Sequence, residues 1–184
     1  MSSKFLIIGD LHGNKPKIYF KDFDYIIAPG DFCSDALRKY MFQALQERLK
    51  DLNSEVKWYD FIGKKKAKKM VDKSLRDGRR ILEFLNSFNK PVFIVPGNWD
   101  WTEDEDSSWS YLRKDHYGKL IKGLNNLIDI YHSLLINDNF CFIGHGVTSG
   151  PEYPQYKEDL KRYSRKELRE LNKDYKIIFN NLGK

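Results

Sequence analysis

An α/β fold, in which the strands of a sheet alternate with helices, is predicted by three features of the sequence. Three apolar runs each stop at a glycine followed by a polar side chain: Phe5-Leu6-Ile7-Ile8 before Gly9-Asp10, Tyr25-Ile26-Ile27-Ala28-Pro29 before Gly30-Asp31, and Pro91-Val92-Phe93-Ile94-Val95-Pro96 before Gly97-Asn98. Stretches with helical spacing of apolar residues lie between the second and third runs. The chain has 184 residues, 41% of hydrophobic type and 15% aromatic, enough for a single domain over residues 1–184 with a sizeable core.

The first run reads as a buried strand, and Lys15 to Asp24, which contains Pro16, as a polar connector to the second. Ser34 is placed to cap a helix starting near Asp35, with Leu37, Met41, Leu45, Leu49 and Leu52 near helical spacing. The pattern lapses between Lys50 and Gly63. A second helix opens at Lys64 and continues through Met70, Leu75, Ile81, Leu82 and Leu85 to Phe88, within a lysine-rich helical insertion around residues 50–89. After the third strand, Asp115 to Asn126 reads as a helix interrupted by Gly118 and Gly123. Leu127 to Ile130 and Ser133 to Ile136 read as strands, and Asn137-Asp138-Asn139 as a hairpin turn into Phe140-Cys141-Phe142-Ile143. Ser164 and Glu167 have capping-box spacing for a helix through Leu168 and Leu171, and Tyr175 to Phe179 reads as a last strand.

Two cysteines, Cys33 and Cys141, no signal-like start and no apolar stretch of membrane-spanning length point to a cytoplasmic protein with no membrane partner. The formal net charge is +6. A basic surface attracts polyanions such as nucleic acid, but a solvated surface with a mild lysine excess explains the same number and is preferred. Five lysines in the six positions 64–69 divide in the same way, a nucleic-acid patch against a solvated helix face. Trp99, Trp101 and Trp109 are suited to stacking on a nucleobase, although packing against helices is the ordinary fate of tryptophan. The acidic loop from Thr102 to Ser108 reads as a solvated loop, or else as one that contacts the lysine-rich helix or tunes the affinity of a metal site nearby.

Asp10 and His12 are two residues apart, and in extended backbone they point the same way, so that one carboxylate and one imidazole grip a single divalent cation. Gly9 and Gly13 leave room for a sharp turn and for a ligand to approach. Sites in open α/β sheets collect at the carboxyl ends of strands, where Asp31 and Asn98 also fall. Each residue has a plainer role open to it: Asp10 and Asp31 as caps or turn residues, Asn98 as a turn residue, His12 as a hydrogen-bonded loop histidine. Taken together at three successive strand ends, they are read as a metal site.

With these residues the chain resembles the calcineurin-like metallophosphoesterases, whose pattern is Asp-x-His, then Gly-Asp, then Gly-Asn-His-Asp/Glu, then further histidines. Asp10 and His12 match the first block, Asp31 the second, and Asn98 with Asp100 the third, over a scaffold from Ser3 to about Ile143. The resemblance implies a layered sheet with flanking helices around a four-layer β-sandwich core, and metal-dependent hydrolysis of a phosphate mono- or diester. It also implies two divalent ions drawn from Mn, Fe, Zn or Co. Asp10 and His12 would hold the first, Asn98 would help hold the second, and Asp31 would bridge them. Asp31, Asn98 and Asp100 form the implied catalytic set, Asp100 by orienting its neighbours.

The match departs at Trp99, where the family often carries the histidine thought to protonate the leaving group. Indole donates one N–H and shuttles no proton at neutral pH. His116 is a conceivable replacement but reads as a surface residue. His145 follows the strand ending at Ile143 and is a candidate ligand, whereas His132 reads as buried or at a strand edge. No histidine follows Phe179, so the chain is expected to be short at its C-terminal end, with an exposed sheet edge that a homo-oligomer would cover. Two alternatives to a working phosphoesterase follow: a family member that binds metal or phosphate without turnover, and a basic nucleic-acid-binding protein.

Overall fold

The computed structural model describes residues 3–51, 53–105, 107–137 and 140–146, together with 164, 166, 167 and 170. The chain divides into two compact units, Met1–Ala36 with Lys68–Thr148, and Leu37–Ala67 with Ser149–Lys184.

The first unit is built on a parallel sheet of four strands: β1 (Phe5–Ile7), β2 (Tyr25–Pro29), β3 (Val92–Val95) and β4 (Leu127–Asp129), in that spatial order. Parallel pairing places every carboxyl end on one edge. Side chains alternate across the sheet, and both faces are used. Leu6, Ile26, Ala28, Val92 and Ile94 join a core with Ile81, Leu82 and Leu85 of helix α2 (Lys64–Asn86) and with Tyr117 and Leu120 of helix α3 (Tyr117–Ile121). Ile26, Ile94, Ile81, Leu82 and Leu85 are all fully buried, and each such side chain stabilises the fold by roughly 2 kcal/mol. The opposite face presents Phe5, Tyr25 and Phe93. An antiparallel hairpin, β5 (Leu134–Asn137) with β6 (Phe140–Ile143), covers them. Phe142 stacks on Phe93 at 4.2 Å between centroids, and Phe140 meets Phe5 edge to face at 4.9 Å. Helices, parallel sheet and hairpin thus form successive layers, a mixed α/β arrangement consistent with a metallophosphoesterase fold.

The second unit holds helix α1 (Arg38–Lys50) and a short 3₁₀ helix (Trp58–Phe61). The buried Arg48 donates from its guanidinium to the carbonyl of Val56 at 3.0 Å, which ties α1 to the segment before the 3₁₀ helix. The Ser164–Glu167 capping box forms as expected: the Glu167 amide donates to Ser164 Oγ at 3.2 Å, and the Ser164 amide to Glu167 Oε2 at 2.7 Å.

Several expectations need correction. α1 begins at Arg38, not near Asp35, and has no side-chain cap; the Ser34 hydroxyl is buried instead and makes no hydrogen bond. β1 is not wholly buried, because Ile7 faces solvent opposite Leu6. The helix sought between Asp115 and Asn126 is confined to Tyr117–Ile121, because Gly123 takes φ +78° beyond its end. The last predicted strand, Tyr175 to Phe179, and the turn residues Asp138 and Asn139 lie outside the described residues. Among the described residues no helix is long and apolar enough to cross a membrane, and Cys33 (buried) and Cys141 (exposed) are both free thiols.

Candidate metal centre

Hydrogen bonding between β1 and β2 does not stop where the strands do. The Asp10 amide donates to the Gly30 carbonyl at 3.1 Å, the His12 amide to the Asp31 carbonyl at 2.7 Å, and the Gly13 amide to the Phe32 carbonyl at 2.9 Å. The two strand-end loops are thereby zipped together. Ligand-type atoms of Asp10, His12 and Asp31 all lie within 4.8 Å of one another, a group able to hold a metal ion. His12 Nε2 is 2.8 Å from Asp10 Oδ1.

The means differ from those expected. Asp10 and His12 are not in extended backbone; their φ values are +58° and +45°, and Asp31 has +55°. Three non-glycine residues in the left-handed region cost roughly 1–3 kcal/mol each, a kind of strain that concentrates at functional sites. The glycines also serve a different purpose. A Cβ on Gly9 would stand 2.8 Å from the Pro29 ring, and one on Gly30 would collide with the Gly97 amide. They let three strand ends approach one another.

The third loop is fastened by Asp100. This side chain is completely buried, and its Oδ1 accepts the amides of Phe32 (2.8 Å) and Cys33 (2.9 Å) while Oδ2 accepts that of Gly97 (2.8 Å). Burial pushes its carboxyl up to about 6, against the lowering pull of those amides. Asp100 is therefore a strut between the second and third loops, out of reach of any substrate. Asp31 Oδ1 accepts the Trp99 amide at 2.9 Å. Asp31 is half-buried, and desolvation raises its pKa; the Asp10 charge adds to that, while the Trp99 amide and His12 oppose it. Asn98 is exposed on this third loop, between Gly97 and Trp99.

The remaining histidines are not part of the Asp10, His12 and Asp31 group. His116 is buried, not superficial, with Nε2 2.9 Å from the Tyr111 carbonyl and its ring against Tyr111. His132 is exposed, and its ring stacks on that of His145 with centroids 5.7 Å apart. Trp101 packs against the core and donates to Ser74 Oγ at 3.3 Å, Trp109 leans on Tyr111, and Trp99 meets His12 edge to face at 6.2 Å.

Sequence reasoning passed over Asp77, which is buried in α2 with its Cβ 2.9 Å from where a Cβ on Gly13 would stand. Its spacing of four from Lys73 and three from Arg80 was the available signal, and both pairs form, at 2.7 Å and 3.5 Å. Gly78 follows it, and a Cβ there would lie 2.5 Å from Cys33 Sγ, so α2 presses directly on the loop after β2.

No curated protein and no solved structure matches the chain. The family model for calcineurin-like phosphoesterases matches residues 3–182. That family consists of hydrolases that typically bind divalent metals and act on phosphate esters, and an Asp-His-Asp group of the right chemistry stands at the strand ends. The chain belongs to the calcineurin-like phosphoesterase family.

Proposed function

We propose that this chain is a metal-dependent phosphoesterase that hydrolyses a phosphate mono- or diester. The observation that carries the reading is the convergence of Asp10, His12 and Asp31 from two different strand ends. Two carboxylates and one imidazole suit Mn, Fe, Zn or Co. The residues fit such an ion on a second count: half-burial raises the pKa of Asp31 and the charge of the exposed Asp10 adds to that, and a cation at the group would offset both. Asp10 and His12 would hold one ion, Asn98 a second, and Asp31 both.

Bound divalent ions supply charge stabilisation at the phosphoryl oxygens and acidify a water for in-line attack. The chain's own residues set the stage for that. Asp31 contributes two oxygens and is held in place by the Trp99 amide. Asn98 contributes a neutral oxygen, which adds no negative charge where an anionic phosphate must land. Asp100 keeps the Asp31 and Asn98 loops in register. The apolar outer face of the hairpin, with Leu134, Ile136 and Ile143 exposed, is in keeping with the further layer of a four-layer core.

The test is hydrolysis of p-nitrophenyl phosphate and of bis-p-nitrophenyl phosphate with each metal in turn, alongside elemental analysis. Metal-dependent turnover that Asp31→Ala abolishes is expected. Trp99 favours a second reading, binding of metal or phosphate without turnover. Bound metal with no hydrolysis of either ester would select it.

A further inference from the structure

Four basic residues of α2, Lys69, Lys73, Arg76 and Arg80, follow one another at spacings of four, three and four, and all four are exposed. That spacing puts them on one face of the helix. They span twelve residues, and the eleven steps between the first and the last cover about 16 Å of helix axis, over which one strand of a duplex presents about five phosphates. The neighbouring acids are already engaged: Asp72 with Lys68 at 2.8 Å and Glu83 with Arg79 at 2.8 Å. Asp77 lies beneath the stripe, paired with Lys73 and Arg80. It also packs at Gly13, the residue after His12. One buried carboxylate therefore anchors two cations of the stripe at the border of the loop that carries the candidate metal ligands. Trp99, half-buried beside His12, adds an aromatic ring there.

We infer that this stripe binds the phosphodiester backbone of a nucleic-acid strand and leads it to the strand-end centre. Arginine and lysine in register give sequence-independent, salt-sensitive attachment, and an aromatic ring next to the centre suits a base on the strand. Binding by the stripe stands apart from the catalytic reading; only delivery of a scissile diester rests on it.

The test is fluorescence anisotropy of a labelled single-stranded oligonucleotide and of its duplex with the full chain, in chelator so that nothing is cut, across a range of salt. Binding with a steep salt dependence is expected. Replacing all four residues with Gln should lower the single-strand slope of log affinity against log salt by about 3 and weaken binding roughly 10- to 100-fold. Losing Lys73 and Arg80 leaves Asp77 without its cations, so a second variant, Lys69→Gln with Arg76→Gln, is measured as well; its slope should fall by about 1.4. A control carrying Gln at Lys17, Lys21, Lys114 and Lys119 should keep most of the affinity. No binding at low salt, an unchanged slope in the stripe variants, equal loss in the control, or equal competition by poly-glutamate would overturn the inference. Turnover of the small p-nitrophenyl esters in a separate assay reports on the metal centre alone, so its failure is distinct from failure of strand binding.

Discussion

The backbone amide of Trp99 donates to Oδ1 of Asp31 at 2.9 Å, so the loop after β3 is held by the same carboxylate that faces Asp10 and His12. Asp31 thus has a structural task and an electrostatic one, and a substitution can separate them. Asn retains an oxygen for the Trp99 amide and removes the charge. Asp31→Asn should therefore fold with a urea midpoint close to that of the wild type. Its bound metal should fall at least about tenfold, in line with the loss of a directly ligating charge, and ester hydrolysis should fall to background. Elemental analysis of dialysed protein decides the matter: full metal content in the variant would remove Asp31 from the ligand set.

Asp100 behaves in the opposite way. It touches no solvent, and three amides from two loops converge on its oxygens. An amide side chain accepts through one atom only, so Asp100→Asn leaves at least one buried N–H without a partner. The expected loss is about 1–3 kcal/mol in urea unfolding, and Asp100→Ala should lose more. A variant as stable as the wild type would show that the loops hold their register without this strut.

Gly78 sets two effects of opposite sign against each other. In an exposed helix interior, alanine is favoured over glycine by about 1 kcal/mol. Here the added methyl would stand 2.5 Å from Cys33 Sγ and 3.2 Å from the Cys33 backbone, and the backbone cannot swing aside. Overpacking of that kind costs about 1–3 kcal/mol, so the clash wins and Gly78→Ala should destabilise. The same variant with Cys33→Ala removes the sulfur and should recover part of the loss. A stabilised single variant would mean that α2 sits further from the loop.

The strand-end pattern made the sheet and the Asp10, His12 and Asp31 group legible, because an apolar run followed by glycine and a ligand is a local signal. The reasoning that paired Asp10 with His12 through extended backbone was wrong, since both residues adopt positive φ. They meet because the loops after β1 and β2 continue to pair. That pairing, like the amides that reach Asp100 from 67 and 68 residues away, belongs to tertiary structure and leaves no mark in local sequence. His116 shows the same limit: a polar residue in a polar stretch reads as exposed, yet the Tyr111 carbonyl gives it a partner inside. The Ser164–Glu167 box was legible because both halves lie within one helical turn.

Trp99 stands where the resembled family pattern often carries a histidine, and its surroundings define what a histidine there would do. The indole meets the His12 ring edge to face with centroids 6.2 Å apart, so the side chain at 99 already reaches the candidate centre. The backbone at 99 is fixed independently, through its amide to Asp31, and a substitution leaves that bond in place. An imidazole titrating near 6.5 would then stand where a leaving group departs, able to donate a proton that indole cannot. General acid catalysis contributes roughly 10²- to 10⁴-fold when the leaving group needs protonation. p-Nitrophenolate leaves without it, whereas an alkoxide does not. Trp99→His should therefore raise kcat on an alkyl phosphate ester by at least about tenfold, and change kcat on p-nitrophenyl phosphate little. A gain of equal size on both esters would point to altered access to the centre, and no gain on either would mean that another group already protonates the leaving oxygen.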